Sequence, residues 1–321
     1  MKGWLSRVMV GLCVALLLAP VMPVQARTAG ASMGPPVPLL WEVKGEGGSR
    51  VLLLGSFHLL APQDYPLSSD VEKAYARADR LVFELSSDEM GSPLVARQIM
   101  EAAVRRDGSR LRTGVGEERW QRLVHWSNAR DMPMASLQGL QAWFVALTVN
   151  LHSLAEAGMR SDLGLDRHLM ARAAQDGKPV QGLETAQTQV ALLQAMEESV
   201  QLQMLDEALQ DAGQDNAQVR QLHVLWRRGD AQALWQQSGE PMRQRTPLLY
   251  QRLNADRNQA WLTQLPHWLR AGQGTTLVVV GALHLLGEDG LVQQLQVQGH
   301  NVQRLCSMAG CPTVGKRARR R

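Results

Sequence analysis

The stretch Arg50-Val51-Leu52-Leu53-Leu54-Gly55-Ser56-Phe57-His58-Leu59-Leu60 is an apolar run that stops at a glycine and then presents a histidine. Near the other end of the chain, Leu277-Val278-Val279-Val280-Gly281-Ala282-Leu283-His284-Leu285-Leu286 does the same. Short apolar runs without polar alternation read as buried strands. A glycine at the strand end lets the backbone turn, and three residues on an imidazole stands just beyond the edge of the sheet. Open α/β sheets bind ligands at that edge, outside the carboxyl ends of their strands. Two further runs pass the same test: 81–83 ends at Glu84 and 180–183 ends at Glu184. Four predicted strands therefore end in His58, Glu84, Glu184 and His284.

Outward from these strands, residues 39–43 and 50–54 flank Lys44-Gly45-Glu46-Gly47-Gly48-Ser49, which is hairpin chemistry. Residues 70–79 carry Val71, Ala74, Tyr75 and Ala78 at helical spacing and lead into a strand over 80–85, a crossover unit. Ser92-Pro93, an N-cap and first-turn pair, opens a mostly helical stretch to about 175. One short strand is predicted inside it over 134–137. After the turn Asp176-Gly177 a brief strand covers 178–184, and a second helical stretch runs from about 186 to 270. Residues 275–280 are the most β-prone run. A helix over 288–298 stopped by Gly299 and a strand over 301–305 complete the pattern. The fold class is therefore α/β: a mixed central sheet with flanking helices and a large helical insertion, about 92–175 and 186–270, within one domain over 39–305.

The chain has 321 residues, 45% hydrophobic and 20% charged, which excludes a disordered, collagenous or bare coiled-coil chain. Lys2 and Arg7, the apolar stretch 8–19 and Val24-Gln25-Ala26 form a signal peptide over 1–26. A membrane span needs roughly 18 or more apolar residues, so the expected location is exported, periplasmic or secreted. Residues 27–38, rich in Gly and Pro, are a flexible lead-in. The net charge is +4, but two basic residues fall in the leader and five in the last six positions, so the body is close to neutral. That leaves no basic nucleic-acid-binding face; the tail, Lys316 to Arg321, is placed for weak contact with an anionic envelope surface. Cys306 and Cys311, the two cysteines after the leader, most simply form a local disulfide in an exported protein, worth about 2 kcal/mol.

Two His with one or two carboxylates make a first shell for a catalytic divalent metal with an open water position, Mn, Co or Zn. Bound water with a pKa lowered toward 7 is then the nucleophile. Without metal, the same groups do general acid–base work, a Glu activating water and a His protonating the leaving group. The residue types leave both open. The bland alternative makes the His satisfied loop residues and the Glu helix caps or ion-pair partners. Asp166 and His168, in Gly164-Leu165-Asp166-Arg167-His168, form a helix-start cluster that can line the site. His125, His152, His223, His267 and His300 have no partner motif and read as structural.

Taken together, Gly55-Ser56-Phe57-His58, Leu81-Val82-Phe83-Glu84, Gly164-Leu165-Asp166, Gly182-Leu183-Glu184-Thr185, Arg257-Asn258 and Gly281-Ala282-Leu283-His284 with Gly287 and Gly290 resemble the TraB/GumN family over about 39–305. The chain is also similar to the Tiki metalloproteases and the wider erythromycin esterase/ChaN-like group. The resemblance implies a mixed α/β core, two G-x-x-H motifs, an essential Glu and an Arg, and, in Tiki proteins, a divalent metal used for peptide cleavage. His58 and His284 match the paired motif, Glu84 the acidic position and Arg257 the basic one, where Arg257 stabilises a developing oxyanion. Ser56 stands where the family more often has Thr. The leading expectation is an exported metal-dependent hydrolase acting on a small peptide or related amide, with His58, His284, Glu84 and Glu184 around the metal. The alternatives are a metal-independent esterase or amidase using the same His and Glu, or a non-catalytic periplasmic protein binding haem, metal or peptide.

Overall fold

The computed structural model describes residues 34–214, 216–308 and 311. The predicted signal peptide, most of the lead-in and the basic tail lie outside the described residues. Among the described residues six strands form one sheet: β1 (Leu40–Lys44), β2 (Arg50–Ser56), β3 (Arg80–Phe83), β4 (Val180–Gly182), β5 (Thr275–Gly281) and β6 (Val302–Arg304). Their spatial order is β4-β3-β5-β2-β1-β6. The hairpin partner β1 runs antiparallel to β2, with Leu40 opposite Leu54, and its other edge takes β6, also antiparallel. The turn between β1 and β2 needs its glycines, since Gly47 and Gly48 hold φ of 61° and 97°. β2, β5, β3 and β4 are mutually parallel, as expected of strands that read as continuous apolar runs. Successive side chains of a strand enter opposite faces, so full burial of both Leu52 and Leu53, and of both Val278 and Val279, means that both faces of the sheet are covered. Each such side chain contributes roughly 1.5–3 kcal/mol by leaving water.

The helices that frame the sheet and the insertion are α1 (Ser69–Arg77), α2 (Pro93–Ala103), α3 (Ala142–Glu156), α4 (Leu165–Gln175), α5 (Ala186–Gln194), α6 (Glu198–Ala212), α7 (Ala217–Arg227), α8 (Asp256–Leu262) and α9 (Leu291–Val297). Local chemistry starts several of them. Ser68, Ser92 and Thr185 each accept a backbone N–H of the first turn of α1, α2 and α5, which satisfies donors that a helix start leaves open. The insertion has its own core, distinct from that of the sheet, with Trp143, Val145 and Ala146 of α3 against Leu205 and Ala208 of α6. Consecutive residues 142–147 of α3 are all buried, so this helix is enclosed on every side rather than lying on a surface. α7 ties the insertion to the sheet: the Trp226 indole N–H donates to the Gly55 carbonyl at 3.0 Å, at the strand end that carries the first histidine.

Two local expectations are corrected. Residues Met134–Ser136 form a 3-10 turn, closed by Leu137 N–H on the Met134 carbonyl at 3.1 Å, rather than a strand. The segment is too short and too exposed to pair. The helix expected over 288–298 begins only at Leu291, because Gly287 sits at φ 77° and Gly290 is extended (φ −71°, ψ 145°), so neither continues a helix. β2 and β5 both run past their apolar residues, to Ser56 and Gly281. Cys306 and Cys311 lie at disulfide distance, Cα to Cα 5.8 Å, and Ser307 beside them hydrogen-bonds Asp70 of α1 at 2.6 Å. No helix among the described residues is long and apolar enough to cross a membrane.

Candidate active site

The strand order decides which chemical groups meet. Reading across the parallel strands β4, β3, β5 and β2, the residues just past their carboxyl ends are Glu184, Glu84, His284 and His58. Neighbouring strands are ~4.8 Å apart, so groups spread over much of the sequence converge on one edge. The pairing continues into the site, with Glu184 N–H on the Glu84 carbonyl at 3.1 Å and Gly281 N–H on Glu84 Oε1 at 2.8 Å.

Arg257, from α8, is the hub of the cluster. Its Nη2 donates to Glu84 Oε2 at 2.6 Å and to Glu184 Oε1 at 2.5 Å, and its Nε reaches Glu184 Oε1 at 3.0 Å. Nη1 donates to the Leu253 carbonyl at 3.2 Å and to His284 Nε2 at 3.1 Å. A guanidinium carries five N–H donors, and these contacts commit all of them. No N–H of Arg257 is left for a further acceptor. The guanidinium also lies over the Trp261 ring at 4.8 Å, and the same ring packs against His284 at 4.5 Å between centroids.

The tautomer of His284 follows from its partners. Asn258 Nδ2 donates to the carbonyls of His284 and Asp289 at 3.2 and 2.8 Å, which orients the amide and turns its oxygen to His284 Nδ1 at 2.7 Å. Nδ1 must then carry the proton, and Nε2 accepts from Arg257. Burial and the neighbouring Arg257 charge push the His284 pKa down to about 3, so this imidazole is neutral at physiological pH. Burial works against charge on Glu84 as well, but Arg257 overcomes it and holds the Glu84 carboxyl at about 2. Burial likewise opposes the Arg257 charge, and the two glutamates more than offset that, raising its pKa. Perturbed, buried ionisable groups at a strand-end cluster are a mark of functional sites.

His58 faces the cluster from β2. Its Nδ1 lies 3.1 Å from Asp166 Oδ2, and its Nε2 is 4.0 Å from Glu84 Oε1. Asp166 arrives because α4 begins against the β2 loop: Leu165 N–H donates to the Phe57 carbonyl at 3.2 Å, and a Cβ at Gly164 would stand 2.0 Å from the His58 carbonyl oxygen. Only glycine allows that approach. Asp166 Oδ1 is buried without a hydrogen bond, leaving one oxygen of the carboxyl for another donor. His168 makes no hydrogen bond or ion pair with the cluster among the described residues. Two residues along a helix turn about 200°, which carries its ring away from His58 to the ring of Tyr65, at 4.8 Å. Two further contributors have weak sequence signals. Gln189, buried on α5, donates to Glu184 Oε1 at 2.6 Å, and Asn258 fixes His284; the first is one of many glutamines and the second adjoins a more obvious arginine.

The donor types suit a divalent ion, but their arrangement does not. Among the described residues no three His, Cys, Asp or Glu side chains form a group that could hold one. The reason is Arg257: three of the four expected ligands, Glu84, Glu184 and His284, are acceptors of a single guanidinium, and the His284 nitrogen that a metal would take already accepts its N–H. In this arrangement Glu84, Glu184 and His284 surround the Arg257 guanidinium.

The TraB/PrgY/gumN family model matches residues 39–304, which contain every group of this cluster. The chain belongs to this family. It is 29% identical over 258 residues to the uncharacterized protein YbaP of Escherichia coli (strain K12) and to that of Shigella flexneri, covering 78% of this chain and 89% of each relative. No solved structure matches. Within this TraB/PrgY/gumN chain the match spans both G-x-x-H motifs and Arg257 and stops before Cys306.

Proposed function

We propose that the chain is an exported hydrolase of peptide or related amide bonds in which His58, backed by Asp166, activates water. The observation that carries this reading is the His58 Nδ1 to Asp166 Oδ2 contact of 3.1 Å, with Nε2 turned toward the Glu84 side of the strand-end cluster. In the mechanism His58 Nε2 takes a proton from water while the water oxygen adds to the substrate carbonyl carbon. Asp166 orients the ring and stabilises the imidazolium that forms. The same nitrogen then returns the proton to the leaving amine as the C–N bond breaks, so atoms and charge balance. Glu84, held ionised by Arg257, faces the imidazolium and favours its formation. Export rests on the leader-like first 26 residues.

A metal-dependent version of the same hydrolysis has one observation in its favour. Both imidazoles are anchored through Nδ1, by Asp166 and Asn258, which is how metal-ligating histidines are oriented. It requires Arg257 to leave His284. The test is turnover of end-blocked peptides by exhaustively chelated protein beside its His58→Ala variant. The expected result is turnover that survives chelation and falls by roughly 10²–10⁴ in the variant. Turnover abolished by chelation and restored by Mn, Co or Zn would establish the metal reading, and no turnover with or without those metals would leave a binding protein.

A further inference from the structure

A second feature of the molecule lies outside this cluster. α2 packs against α5 in the insertion, and between them opens a groove of about 500 Å³, within the range of small-ligand sites. Its walls are rich in one chemistry: Gln98 from α2, Gln187 and Gln194 from α5, and Gln141 and Gln201 beside them. Gln201 is committed, bridging the Trp143 N–H and the Met196 carbonyl at 3.4 and 3.0 Å, and closes one end. Gln98, Gln187 and Gln194 are exposed, and their side chains carry no hydrogen bond within the described residues.

We infer that this groove binds an extended, uncharged peptide segment, a reading that rests on the proposed hydrolysis only for what happens to that peptide next. Each carboxamide offers one acceptor and two donors, matching the alternating N–H and C=O groups of a peptide backbone. The charged residues of the groove, Glu101 and Arg106, are one of each sign, which argues against an anionic ligand. The one aromatic lining it, Trp143, is 1% exposed with its ring edge-on to Phe144, so no flat aromatic face is offered for a sugar ring to stack on. Gln187 and Gln194 are seven residues apart on one face of α5, ~10 Å along the axis, the span of about three extended residues. Ala191 and Val190, between them on the same side, leave room for small side chains.

The groove begins close in the chain to the active site. Gln187 follows Glu184 by three residues, so at most ~11 Å of chain separates them. On the opposite side of the same helix Gln189 holds Glu184 at 2.6 Å, so α5 joins recognition to chemistry.

The experiment is a titration of the full chain, labelled with ¹⁵N at glutamine side chains, with acetyl-Ala-Gly-Ala-Gly-amide and, separately, with maltotetraose. Saturable shifts of the Gln98, Gln187 and Gln194 amides with the peptide alone are expected, weakened at least tenfold in Gln187→Ala/Gln194→Ala. Both positions are exposed, so that double variant keeps its fold. No saturable shift up to about 10 mM, or shifts with maltotetraose and none with the peptide, would overturn the inference. Binding without turnover would retire the hydrolase reading and keep the groove; turnover with silent glutamines would do the reverse.

Discussion

Replacing Arg257 by methionine lowers the thermal midpoint by roughly 6–20 °C, if the variant folds at all. The guanidinium lies between Glu84 and Glu184, with side chains 6% and 7% exposed. Removing one partner of a buried ion pair costs about 3–5 kcal/mol, because the charges left behind have neither water nor counter-charge. In a domain of this size each kcal/mol moves the midpoint by about 2–4 °C. Where Arg257→Met is insoluble, the triple variant Glu84→Gln/Glu184→Gln/Arg257→Met keeps the account testable. Removing all three charges together leaves no uncompensated ion, so most of the lost stability returns. Calorimetry of the wild-type, triple and, where soluble, single variants checks this. An unchanged midpoint for Arg257→Met, or a triple variant less stable than the single one, would show that the guanidinium does not organise the site.

Asp166→Asn is expected to lower kcat for blocked peptides by roughly 10²–10⁴ while KM changes little. On the proposed reading Asp166 acts through its contact with His58, so its loss removes the orientation of the imidazole and the stabilisation of its charged form. Binding contacts remain. A structural defect would instead lower the thermal midpoint and leave the kcat of the folded fraction intact, so midpoint and active fraction are measured alongside. His168→Ala is the contrast. Two residues away but turned toward Tyr65, it should leave kcat within a factor of a few. Equal losses from the two variants would contradict the assignment of Asp166 as the orienting group.

Much of this arrangement is legible in the residues themselves. An apolar run, a glycine and then a histidine is a strand end with an imidazole beyond it, and both copies occupy that place on β2 and β5. Glu84 and Glu184 follow from the same logic. Pattern alone could not give the order β4-β3-β5-β2, which depends on non-local pairing yet decides that Glu84 lies between Glu184 and His284. Nor did residue type reveal that Arg257 would engage three of the expected metal ligands, because arginine is as common in structural ion pairs as in active sites. That Asp166 meets His58 while the His168 ring packs on Tyr65 is readable in principle, because two residues along a helix differ by about 200°. Residues 134–137 fit a strand by composition but form a 3-10 turn, because four residues are too few to tell β alternation from a turn.

The claim that this site is built around its own cation is tested most directly by imidazole ¹⁵N spectroscopy of His284, identified by its loss in His284→Gln. The account predicts an Nδ1-protonated, neutral ring from pH 8 down to near pH 4, since its pKa is held at about 3, with Nε2 unmoved by zinc. A ring that protonates near pH 6.5, or an Nε2 signal shifted by one equivalent of zinc with release from Arg257, would contradict it.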